Sequence, residues 1–129
     1  MDVKSTFLNG NLEEEAYIEK PNGLQINNKR DYVCKLKKAL YGLKQAPRAW
    51  HARIDSYLQK QGLKRGSADN NLYCKIDGNN LIIVEVYVDD IIFGSNEIQM
   101  SEYFAKWMQQ EFEMSMLGEL NFFLGLQII

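Results

Sequence analysis

Histidine, cysteine and proline are scarce in this chain of 129 residues: one His, two Cys and two Pro. The lone His51 reads as a surface residue rather than a catalytic one. Cys34 and Cys74 stand far apart and outside any Cys-x-x-Cys spacing. They read as reduced intracellular thiols ahead of a disulfide or a zinc site. No apolar run approaches the roughly 20 residues that span a bilayer, so no membrane partner is expected. The start, Met1 to Thr6, lacks a basic segment followed by an apolar one, so no secretory signal is visible. Internal repeats, low-complexity tracts and linkers are also missing. What remains is ordinary for a soluble globular domain: 46% apolar and 25% charged residues, enough for one moderate core.

The net charge of −2 hides an uneven distribution. Residues 29–53 hold eight basic side chains against one acid, Asp31. The flanking stretches are both acidic. A basic centre in an acidic chain suggests a local contact with a polyanion. A solvated charged face is the plainer alternative.

Asp2 and Val3 look like strand interior, followed by a turn over Phe7–Gly10. Residues 13–19 suit a short helix or a strand, with alternation mildly favouring strand. Residues 21–31 are polar and read as a loop, and Tyr32–Leu36 alternates like a short strand. Pro47 suits the first position of a helix, with Trp50, Ile54, Tyr57 and Leu58 on one face and Gly62 as its stop. Leu72–Ile76 pairs with residues 81–88 across Asp77–Asn80, and residues 88–94 follow as a strand. Ser95 or Asn96 would cap a helix running to about Glu111, with Phe104, Trp107, Met108 and Phe112 as its apolar face. Residues 122–129 read as a buried strand.

Two adjacent carboxylates, Asp89 and Asp90, are wedged between apolar β-branched runs. Neighbouring anions at a sheet turn repel each other and resist desolvation. A plain structural turn would use Asn-Gly or Asp-Gly. A divalent cation removes the repulsion, and hard oxygen ligands suit Mg²⁺. That points to phosphoryl transfer.

Four segments, in order, resemble the reverse transcriptase of copia-type LTR retrotransposons, especially plant ones. They are Asp2–Gly10 (DVKSTFLNG), Leu36–Trp50 (LKKALYGLKQAPRAW), Tyr87–Gly94 (YVDDIIFG) and Gly118–Gly125 (GELNFFLG). The resemblance implies an α+β fold like a polymerase palm, a mainly antiparallel sheet packed on two helices and truncated at both ends. Residues 1–129 would be a partial domain, with the fingers largely missing and the thumb and ribonuclease H region absent. Met1 would be an internal methionine of a polyprotein reused as a start.

By the same resemblance Asp2, Asp89 and Asp90 are the catalytic carboxylates. With the Val3 carbonyl they would hold two Mg²⁺ ions, which Mn²⁺ could replace. Phe7 would exclude a ribose 2′-hydroxyl; Tyr41, Gly42 and Tyr87 would line the nucleotide and primer site. Lys44, Pro47 and Arg48 would grip nucleic acid. Partners would be an RNA or DNA template with primer and dNTP, and the remainder of the Pol polyprotein. The location would be intracellular and cytoplasmic, in a virus-like particle for the full element, or nuclear. Thr6 departs from the family, which commonly has alanine there, and Glu85 is a charge in an otherwise apolar strand.

The expected function is RNA-directed DNA synthesis by two-metal nucleotidyl transfer. The alternative is an inactive transposon remnant that at most binds nucleic acid. A two-metal nuclease is a distant third, disfavoured by the order of the motifs. A truncated first strand should leave an open sheet edge and promote self-association.

Overall fold

The computed structural model describes residues 1–23, 32–123 and 126–127. Of the loop expected over 21–31, residues 24–31, including Lys29, Arg30 and Asp31, lie outside the described residues, as do Leu124, Gly125, Ile128 and Ile129 of the expected terminal strand. In chain order the strands are β1 (Asp2–Val3), β2 (Asn11–Ile18), β3 (Cys34–Lys38), β4 (Lys64–Arg65), β5 (Leu72–Asp77), β6 (Asn80–Tyr87), β7 (Asp90–Ser95), β8 (Met114–Ser115), β9 (Phe122–Phe123) and β10 (Leu126–Gln127). The helices are α1 (Ala46–Lys60) and α2 (Ile98–Glu111). The chain divides into two compact units, residues 1–6 with 55–129, and residues 7–54.

The first unit is built on a six-stranded sheet in the order β4-β5-β6-β7-β1-β8, with every pairing antiparallel. Alternation along β6 decides its two faces: Ile82, Val84 and Val86 are buried, while Ile83, Glu85 and Tyr87 are exposed. Phe93 of β7 meets Phe104 of α2 with ring centroids 4.9 Å apart, which identifies the buried face as the one under α2. Phe104, Met108 and Phe112 are buried, as the helical spacing predicts. Each such side chain contributes about 1.5–3 kcal/mol by leaving water.

The end of α1 is pinned to this sheet by polar contacts. The fully buried Tyr73 donates its hydroxyl to Asp55 Oδ1 at 2.9 Å, and Arg65 reaches the same oxygen at 3.4 Å. Burial and the adjacent Asp55 push the Tyr73 phenol well above its ordinary range. The helix stops through two crossed bonds, Leu63 N–H to Leu58 C=O and Gly62 N–H to Gln59 C=O, the Schellman arrangement that the position of Gly62 predicts.

The buried strand expected over 122–129 is instead two two-residue strands, β9 and β10, paired with each other, with Leu126 and Gln127 exposed. Three further expectations change. First, α2 is not capped by Ser95 or Asn96. Its N-cap is Glu97, with no side-chain cap bond. Asn96 instead accepts from Leu81 N–H at 2.7 Å and donates to Asn79 C=O at 2.8 Å, bracing the β5–β6 turn. Ser95 bonds Glu97 C=O and Ser101. Second, β4 and β8 were not anticipated, because two residues carry no periodicity. Third, β1 is not an edge: it is paired on both sides, by β7 and β8. The edges of this sheet are the two-residue strands β4 and β8.

The second unit holds a 3₁₀ turn over Thr6–Asn9, of which Phe7–Asn9 belong to this unit, the β2–β3 pair and the start of α1. Residues 13–18 are strand, as the alternation suggests. The pairing of β2 with β3 slips between Asn11 and Ala16. Lys35 forms an ion pair with Glu15, so this member of the basic stretch is already matched. Gly10 lies against the first turns of α1. A Cβ there would stand 2.8 Å from Trp50 N and 2.9 Å from Ala49 C, both backbone atoms.

Gly10→Ala should therefore destabilise the chain by about 1–3 kcal/mol, because helix backbone cannot yield as a side-chain tip can. Urea denaturation checks this; an unchanged midpoint would contradict the packing.

Candidate functional site

Asp2 and Asp90 face each other across β1 and β7. Met1 and Ile91 exchange two backbone hydrogen bonds at 2.9 Å, and Val3 N–H donates to Asp89 C=O at 2.9 Å. The pair between them is therefore the non-hydrogen-bonded kind, the narrower one, with Cα atoms about 4.5 Å apart. Register also fixes their face. Val3 and Ile91 are buried, so Asp2 and Asp90 lie on the face turned away from α2, together with Glu85 and Tyr87. Asp90 is half-buried, and Asp89 is exposed in the turn before it.

The electrostatics match this crowding. Burial first, then the charges of Asp89 and Asp2, push the Asp90 carboxyl above its ordinary range, with the Met1 ammonium opposing. The Val3 carbonyl accepts the Thr6 hydroxyl at 2.8 Å, and Thr6 is buried. A carbonyl oxygen has two lone pairs, so one remains.

The turn itself is strained. Val88 has φ +52, a conformation that β-branched residues rarely adopt, at a cost of about 1–3 kcal/mol. The strands expected over 81–88 and 88–94 meet at Val88; the structure instead ends β6 at Tyr87, starts β7 at Asp90 and turns over Val88–Asp89, with valine in a left-handed position that nothing in the sequence foretells.

As donors, these carboxylates and a carbonyl suit a hard divalent cation, and a cation would relieve the repulsion on Asp90. The group fits Mg²⁺ in ligand chemistry. Among the described residues, no three His, Cys, Asp or Glu side chains come together closely enough to hold a metal ion as they stand.

Other expected site residues belong to the second unit. Phe7, half-buried in the 3₁₀ turn, meets Tyr41 with ring centroids 4.7 Å apart and planes tilted by 54°. Tyr41 is 61% exposed. Gly42 has φ +91 with open space around it. Lys44, Pro47 and Arg48 are exposed, and Arg48 lines a cavity of about 190 Å³ with Gln45, Asn11 and Glu14. Tyr87, in the first unit, is 48% exposed at the end of β6 and opposite Asp90. Among the described residues no helix is long and apolar enough to cross a membrane.

Comparison with known proteins agrees with the sequence motifs. The family described as "Reverse transcriptase (RNA-dependent DNA polymerase)" matches residues 1–129. The retrovirus-related Pol polyprotein from transposon TNT 1-94 of Nicotiana tabacum is 39% identical over all of this chain and 10% of its own length. The corresponding polyprotein from transposon RE2 of Arabidopsis thaliana is 37% identical over 98% of this chain and 9% of its own. A transposon Ty5-1 protein of Saccharomyces cerevisiae is 34% identical over 99% of this chain and 42% of its own. The chain thus spans about a tenth of the plant polyproteins it matches. No solved structure matches it.

The raised Asp90 pKa has a consequence for stability. The fold favours its protonated form, so the stability it contributes is complete below the ordinary carboxylate range and is lost as pH rises through the folded-state value. Asp90→Asn should raise the melting temperature at pH 7, and the gain should vanish below about pH 4. Melting curves across pH check this; a gain that persists in acid would contradict the electrostatic origin.

Proposed function

Because the chain belongs to the reverse transcriptase family of retrotransposon Pol polyproteins, we propose that it is the palm part of an RNA-directed DNA polymerase, which adds dNTPs to a primer 3′ end on an RNA or DNA template. The observation that carries this reading is the narrow pairing of Asp2 with Asp90 beside Asp89, in the middle of a sheet and on its face away from α2. A pair of like charges directly opposite each other weakens a sheet. Keeping one at the centre makes sense where a cation is to be held.

In this reading Asp2, Asp89 and Asp90, with the Val3 carbonyl, hold the metal ions. Bound Mg²⁺ would supply a lowered pKa for the primer 3′-hydroxyl and charge neutralisation for the triphosphate. Phe7, braced by Tyr41, packs beneath the sugar and leaves no room for a 2′-hydroxyl. Gly42 lets the backbone approach a nucleotide, and Tyr87 lies beside the primer end. Lys44 and Arg48 meet phosphate with little sequence preference, and Pro47 shapes the template contact. The rest of the polyprotein would supply further grip on primer, template and nucleotide.

One observation favours a second reading, an inactive remnant that at most binds nucleic acid: the three carboxylates are not drawn together closely enough for a metal. Small misplacements cost large factors in rate. Primer extension on poly(rA)·oligo(dT) with Mg²⁺ separates the two. The polymerase reading expects incorporation that Asp89→Asn lowers by about 100-fold or more. No incorporation at high protein concentration selects the remnant.

A further inference from the structure

Most donors of the acidic site are side chains, but one is backbone, the Val3 carbonyl. A backbone donor can be aimed only through its peptide plane, and two hydrogen bonds hold this one. Lys4 N–H donates to Glu113 C=O, just before β8, at 2.8 Å, and the Val3 carbonyl accepts the Thr6 hydroxyl at 2.8 Å. In a trans peptide the N–H and C=O point in opposite directions. With the Lys4 N–H turned to the β8 side of β1, the Val3 carbonyl is turned to the β7 side, where Val3 N–H meets Asp89.

Thr6 is an uncommon place for a hydroxyl. It is 1% exposed, and of the described Ser, Thr, Asn, Gln and charged residues it alone is buried. A buried hydroxyl costs free energy unless it is bonded, whereas the methyl of valine would need no partner. The partner that Thr6 finds is the one backbone oxygen of the acidic site.

We propose that Thr6 is a positioning residue: with the Lys4–Glu113 bond, its hydroxyl fixes the Val3–Lys4 peptide, so that the Val3 carbonyl stays aimed to the β7 side as a donor for a divalent cation. This rests on the reading of Asp2, Asp89 and Asp90 as metal holders. Two effects of the hydroxyl oppose each other. It draws electron density from the oxygen, which weakens a cation's hold. It also orders the carbonyl before any cation arrives. A carbonyl oxygen accepts along two directions, so a neutral hydroxyl on one leaves the other open. Partners bonded to a metal ligand are worth about tenfold or more in affinity, so orientation outweighs the drain.

The test uses the whole chain with Mn²⁺ as the probe. Free Mn²⁺ is followed by electron paramagnetic resonance, and melting is followed separately in EDTA. Thr6→Val keeps the shape and removes the hydroxyl. It should weaken Mn²⁺ binding about tenfold and lower the melting temperature by about 3–6 °C. Thr6→Ser returns the hydroxyl with less bulk, so it should restore the affinity while melting stays low. Tyr73→Phe strips a hydroxyl from a bond to Asp55 three strands away from β1. It should lower the melting temperature and leave Mn²⁺ affinity unchanged. Unchanged or tighter Mn²⁺ binding in Thr6→Val overturns the inference. So does a loss that Thr6→Ser fails to recover, or one that Tyr73→Phe reproduces. If Thr6→Val does not fold, Thr6→Ala set against Thr6→Ser gives the same comparison. Wild-type binding that Asp2→Asn and Asp89→Asn leave intact, or no wild-type binding, rejects the reading of the carboxylates, and the role of Thr6 with it.

Discussion

The structure depends on holding Asp2 opposite Asp90 in the interior of a sheet. Two carboxylates about 4.5 Å apart at the backbone repel, and the half-burial of Asp90 increases the penalty. The arrangement survives because the backbone around it is overdetermined. Met1 bonds Ile91 of β7 and Val3 bonds Asp89 in the turn before it, on either side of Asp2, while β8 pairs with the same two-residue strand from the other side. Val3 and Ile91 are buried beneath it. A strand of two residues would not persist alone; pairing on both sides and burial of its neighbours keep it in place. The acidic pair is thus an electrostatic load carried by hydrogen bonds and apolar burial.

Much of the fold was legible. The apolar faces of both helices followed from 3.6-residue spacing, and the strands of the central meander followed from β-branched runs and the Gly78 turn. The elements that escaped are those without a periodic signal. Two-residue strands such as β4 and β8 exist only because a partner pairs with them. The capping expectation at α2 failed for a specific reason: Asn96 has one side chain, and the β5–β6 turn competes for it. The assumption of an open edge failed because β8 lies more than a hundred residues away along the chain, and only the assembled sheet reveals it.

The acidic residues were legible as a motif, but their relationship was not. Sequence places Asp89 and Asp90 side by side; the register makes Asp90 the direct neighbour of Asp2. The Thr6 hydroxyl on the Val3 carbonyl was visible only as an unexplained departure, and the Phe7–Tyr41 contact joins residues 34 positions apart. The basic stretch divides on inspection. Lys35 is matched to Glu15, whereas Lys44 and Arg48 are exposed near the start of α1. Charge counting alone could not separate these roles.

Asn96 carries a chemical liability of its own. Its amide holds two backbone groups at once, one through oxygen and one through nitrogen. Slow hydrolysis to aspartate keeps the oxygen latch on Leu81 and discards the nitrogen latch on Asn79. An aged copy of this protein would carry a half-fastened hairpin at the end of the sheet opposite the acidic pair, a covalent clock written into a single amide.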